Sequence, residues 1–331
     1  MSPRTSRSRA RAIALGALFA LSPVTAHADA AVDPRSLAPL LRIYEFAELE
    51  AGLADLERSG ARTREGWLAF PRALAALGIA SADDPALATS LDAWRDGSPD
   101  RWVVEMVSGW RQLELGHAPR AIDASFDVPR VPDQPDPALR AAARSAFERA
   151  HALAPRSPEP YTALLAVASM EHAPMPERLA LLAKACAVDA TCETARATLL
   201  VGSEDDADAA SLLELARTSA RAHPDDPNLG LLVGIAHRRA GIASGDPVGY
   251  FQRAGVFDEV ERAYATYLAA HPDAFLHWNE YALLACWAGR RDTARRAFEA
   301  IGDGFRAEPW KGDFRAFADR RQVALGRPLT P

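Results

Sequence analysis

One feature limits what this 331-residue chain can become: the same helix-ending turn returns at a near-constant interval. Lys184-Ala185-Cys186-Ala187-Val188-Asp189-Ala190 parallels Arg149-Ala150-His151-Ala152-Leu153-Ala154-Pro155. Ser219-Ala220-Arg221-Ala222-His223-Pro224 and Tyr267-Leu268-Ala269-Ala270-His271-Pro272 close in the same way. The turn positions Pro155, Ala190, Pro224 and Pro272 are 35, 34 and 48 residues apart. A fixed period of this size marks a repeat architecture, in which each unit buries its apolar face only against its neighbours. Ala, Leu, Arg and Glu dominate between the turns, and no stretch alternates with period two, so the units are helical.

Within that phase, Trp278, Ala282, Gly289, Ala294, Phe298 and Ile301 form one set of bulky and small positions. Ala143, Phe147, Ala150 and Pro155 form a second helix, Tyr161 opens the following unit, and Gly234 and Gly241 mark another. Small residues let paired helices approach, aromatics fill the gaps between layers, and Pro ends the second helix. These segments resemble the tetratricopeptide repeat, a 34-residue helix–turn–helix unit. The resemblance implies an all-α fold, a right-handed solenoid of helical hairpins.

The chain also resembles a bacterial family of uncharacterised exported proteins with tetratricopeptide-like repeats. The segments that carry this likeness are Leu87-Ala88-Thr89-Ser90-Leu91-Asp92-Ala93-Trp94, Gly109-Trp110-Arg111-Gln112-Leu113-Glu114-Leu115-Gly116 and Ala297-Phe298-Glu299-Ala300-Ile301-Gly302. It supplies no activity to carry over.

Three regions follow. Residues 1–28 read as a secretory signal peptide: Arg4, Arg7, Arg9 and Arg11, an apolar run from Ala12 to Leu21, then overlapping sites for cleavage after Ala28 or Ala30. The expected location is periplasmic or secreted. Residues 29–137 read as degenerate helical repeats, with helices over Ser36–Arg58 (broken near Glu45), Arg64–Leu77 and Leu87–Trp94. A Pro-rich loop covers 118–137, where Pro119, Pro129, Pro132, Pro135 and Pro137 oppose regular structure. Residues 138–331 read as tetratricopeptide-like repeats with an insertion near 242–255, the surplus in the 48-residue interval.

Composition narrows the partners. After cleavage, 34 basic residues face 44 acidic ones, a charge of about −10, with no basic stripe of the kind nucleic-acid binders carry. No later segment is apolar for the roughly 20 residues a membrane span needs. Neither a phosphate-binding glycine loop, nor a G-x-S-x-G elbow, nor an H-E-x-x-H pair occurs. No catalytic residue, cofactor or metal is therefore assigned. His277 and Glu280 share a helical face, but no third metal ligand accompanies them. His223 and His271 fall in last helical turns, where the negative end of the helix dipole favours them. The pairs Asp83-Asp84 and Asp225-Asp226 and the cluster Glu204-Asp205-Asp206 read as caps.

Cys186 and Cys192 are close enough in sequence to pair in an oxidising compartment, leaving Cys286 over, although sequence cannot show that the geometry permits the bond. The leading functional expectation is a non-enzymatic scaffold of the cell envelope holding a protein or peptide. In the family, fixed places on the first helices line the inner groove. Carried over by phase, they hold Met106 and Trp110, then Glu159, Thr162 and Met170, then Asn228, Arg238 and Arg239, then Asn279, Cys286 and Trp287. The alternative is a hydrolase or carbohydrate-active enzyme on a helical array, with Glu105, Asp123 and Asp127 beside the Pro-rich loop.

Overall fold

Helix starts are written into the sequence as Asp-Pro pairs. The computed structural model describes residues 31–115, 136–202 and 209–326. Four of its helices open with an Asp whose carboxylate accepts a first-turn N–H, followed by Pro: α4 (Pro85–Gly97), α6 (Pro137–Leu153), α11 (Pro227–Ala243) and α12 (Pro247–Phe251). The Asp satisfies a donor the helix cannot reach, and Pro has no N–H to leave unpaired. Pro137 therefore begins a helix, whereas the sequence reading had placed it in the loop.

The remaining helices are α1 (Ala38–Arg42), α2 (Phe46–Ser59), α3 (Ala69–Asp83), α5 (Trp102–Leu115), α7 (Glu159–Met170), α8 (Met175–Val188), α9 (Glu193–Gly202), α10 (Ala209–Ala222), α13 (Val256–Ala270), α14 (Phe275–Trp287), α15 (Arg291–Ile301) and α16 (Phe314–Ala324). Among the described residues there is no β-strand beyond one isolated bridge, Arg62 to Leu68. The fold is all-helical. Residues 1–30, where the signal peptide was expected, Pro119, Pro129, Pro132 and Pro135, Asp123, Asp127 and the cluster Glu204-Asp205-Asp206 lie outside the described residues.

Contacts run mainly along the chain. Helices pair as α3 with α4, α5 with α6, α7 with α8, α11 with α13 and α14 with α15, while α3 packs on α5, α7 on α9, and α9 on α11. The short α12 sits within residues 242–255 and packs on α11 and α14.

Small residues permit the pairing. A Cβ on Gly109 of α5 would overlap the Phe147 ring of α6, and one on Gly234 of α11 would sit 2.5 Å from the Tyr264 ring of α13. Ala282, Ala294, Phe298 and Ile301 are all buried where α14 meets α15.

The apolar interior has two parts. One runs from Leu41 to Val167 and the other from Leu165 to Ala324. Trp67, from the segment before α3, belongs to the second. That segment departs from the expected helix over Arg64–Leu77, which begins only at Ala69. Gly66 has φ +76°, and a Cβ there would strike the His271 ring and the Tyr267 hydroxyl. A tight turn lies where helix was expected, because contacts far along the chain outweigh local propensity.

Candidate functional site

The turn at residues 61–68 acts as a strap, fastened to helices well over a hundred residues further on. Arg62 holds the Glu193 carboxylate on α9 at 2.9 Å and also donates to the Gly66 carbonyl. The Asn228 amide on α11 donates to Gly66 O at 2.9 Å and to Glu193 at 3.2 Å, and its oxygen meets His271 Nε2 at 3.0 Å. The Tyr267 hydroxyl donates to the Glu65 carbonyl. The Glu65 carboxylate accepts the Leu276 N–H at 3.2 Å. Helix α14 has Ala274 at its N-cap, which offers no side-chain acceptor. Glu65 therefore caps it from 211 residues away.

Trp67 completes the strap. Its indole N–H donates to His277 Nε2 at 3.3 Å. On the other side of the ring, His277 Nδ1 meets the Glu280 carboxylate at 2.8 Å. Glu280 also accepts from Arg238 at 2.9 Å and from the Tyr264 hydroxyl at 3.2 Å. Burial pushes the Glu280 carboxyl up, but His277, Arg238 and the Tyr264 hydroxyl outweigh it and hold the group at about 2. His277 and Glu280 thus bond each other and their neighbours. Among the described residues, no three side chains of His, Cys, Asp or Glu gather as a metal site.

Beside the strap lies a cleft of about 520 Å³. Its walls come from α3, α5, α7, α9, α11 and α14, and Trp67 forms part of one side. No protein-family model and no curated protein matches this chain. What the cleft does must be read from its own residues.

The structure gathers Met106, Trp110, Glu159, Thr162, Met170 and Arg238 into this one cleft. Burial raises the Glu159 carboxyl, against a 2.7 Å hydrogen bond from Ser157. Arg239 lies in the adjoining trough with Val201 and Ile242, its guanidinium donating to the Leu200 carbonyl. Asn228 and Asn279 differ from the expectation. Both are essentially inaccessible, and their amides serve the chain's own backbone. Asn228 secures the strap, while Asn279 bonds Phe275 O, Gly304 O, Arg306 N and the Trp310 indole. Cys286 and Trp287 do not line the cleft; the Trp287 ring packs on Phe251 at 5.8 Å.

Other sequence features are also used internally. Cys186 and Cys192 are joined in a disulfide with Cα atoms 5.0 Å apart, and Cys286 is free. Glu105 is buried between Arg95 and Arg149. Asp84 and Asp226 cap α4 and α11.

Among the cleft residues that repeat phase did not select, two stand out. Trp67 and Arg72 belong to the strap and the first turn of α3, outside the repeat phase used to choose positions. The only local signal was Gly66-Trp67 breaking an otherwise helical stretch.

Proposed function

We propose that this chain is an exported, non-enzymatic binding module whose tetratricopeptide-like helix pairs stack as a right-handed solenoid. It acts in the periplasm or outside the cell and holds a protein segment in the cleft. One observation carries this reading: residues selected only by repeat phase, from α5, α7 and α11, line a single cavity that their own chain leaves open. The cavity size lies within the range of ordinary ligand sites. Trp110, Met106 and Arg238 are residue types enriched where binding energy concentrates.

The test is site-specific photocrosslinking in the producing cells. A benzophenone side chain at Val201, 68% exposed beside the cleft, is expected to give a discrete adduct. The same group at Val323, 51% exposed on α16, gives none. Matching patterns at both positions, or no adduct at either, would overturn the proposal. Export is checked separately by N-terminal sequencing of the mature protein, which is expected to begin at Asp29 or Ala31.

A further inference from the structure

We infer that the cleft takes a peptide carboxylate flanked by apolar side chains, with Arg72 as its anchor. This rests on the binding-module reading and names the chemistry of the bound segment. The argument starts from charge pairing. Arg62 is engaged by Glu193 and Arg238 by Glu280. Arg72 has neither a hydrogen bond nor an ion pair among the described residues, and its guanidinium lies 5.9 Å from the Trp67 ring centroid. It lines the main cleft and a second hollow across the strap, formed with Val32, Thr63 and Glu65. The side chain is solvent-accessible yet surrounded by protein, and this burial lowers its pKa, with Glu193 and Tyr267 acting in the opposite sense. Water solvates this accessible guanidinium in the free protein, and a carboxylate would replace that water with a charge-assisted, two-pronged hydrogen bond that no side chain of the chain itself supplies.

The walls define what accompanies the anion. Trp67 lies beside Arg72, and Trp110, Met106 and Met170 supply further apolar surface in the same cleft. Ser169 on the same wall is 3% exposed, and its hydroxyl has no hydrogen-bond partner. Glu159, Glu280 and Glu308 also line the cleft. They oppose a dianionic phosphate far more than a single carboxylate, whose planar geometry fits one guanidinium fork. Elongation favours a peptide over a small acid. The trough with Val201 and Ile242 shares Val201, Ile235 and Arg238 with the cleft, and both Val201 and Ile242 expose their apolar side chains.

The experiment uses a synthetic array of random heptapeptides, printed once with free C-terminal acids and once as amides, probed with the full mature protein. Expected hits carry a carboxylate next to leucine, isoleucine or phenylalanine. Hits in both formats identify an Asp or Glu side chain; hits confined to free acids identify the chain terminus. For resynthesised hits, Arg72→Gln weakens binding at least about tenfold, and Arg72→Lys restores part of it. Arg72 is exposed and makes no internal bond, so unchanged circular dichroism and urea midpoint verify the fold. Hits that lack a carboxylate, or that bind Arg72→Gln equally, overturn the assignment and leave the binding module standing. Retention of no peptide above a Trp110→Glu control overturns both.

Discussion

Replacing Trp67 tests the strap most directly. The residue is 8% exposed and touches two systems at once. Its ring packs near Tyr267 and His277, at 6.4 and 6.0 Å between centroids, and its N–H satisfies a ring nitrogen of a buried histidine. Truncating a buried Trp to Ala costs about 3–5 kcal/mol through lost transfer energy and the residual cavity. Leaving the His277 nitrogen unpaired falls within that range, because the cleft can admit water to it. We therefore expect about 4 kcal/mol for Trp67→Ala and about 2 kcal/mol for Trp67→Phe, which keeps most of the packing but loses the donor. With a denaturant slope near 3 kcal/mol per molar urea, the alanine variant shifts its midpoint by about 1 M. Urea titration followed by circular dichroism measures this. Amide exchange should accelerate in α11 and α14, more than a hundred residues from the substitution, as well as in α3. A loss below about 1 kcal/mol, or faster exchange confined to α2 and α3, would refute the claim that the strap fastens the second half of the chain.

Three further expectations follow from the same geometry. Glu65→Ala removes the side-chain cap of α14 seen among the described residues and is expected to cost about 1 kcal/mol; Glu65→Gln, which keeps an acceptor oxygen, costs less by the same urea titration. Gly109→Ala should destabilise by about 1–3 kcal/mol because its methyl meets the Phe147 ring, and Phe147→Leu in the same chain should relieve part of that loss. The Glu280 carboxyl is held at about 2, below its unfolded value near 4.5, so its contribution is fully present above pH 4.5 and is lost as pH falls through 2. Roughly 3 kcal/mol is at stake, and Glu280→Gln should flatten the fall in stability between pH 5 and pH 2.

Local pattern was enough for several helix boundaries. The break near Glu45 appears as the junction of α1 and α2, and Gly289, one of the small positions in phase, has φ +69° between α14 and α15. Met106, Trp110, Glu159, Thr162 and Arg238, taken from matching places on three helices, do line one cavity, a placement that needs the packing of those helices as well as the spacing along each. Phase says nothing about which polar side chains the chain consumes itself. Asn228 and Asn279 sit at the expected places, yet their amides are drawn inward by backbone carbonyls supplied from elsewhere in the chain. Arg64 to Leu68 has ordinary composition for a helix start. What extends it is a set of partners between residues 193 and 277, a separation at which periodicity carries no information.

The strap also sets an order of events during synthesis. Most of the molecule is made of contacts between neighbours in the chain, which form quickly and can do so as the polypeptide emerges. Residues 61–68 are an exception, because their partners Glu193, Asn228, Tyr267 and His277 are made one after another, long after the turn itself. Until residue 277 has been made, the Trp67 indole lacks its acceptor and the strap is only partly fastened. A late contact-forming step therefore belongs to a segment made early, and a chain truncated before α14 lacks the His277 anchor, however well its first helices pack.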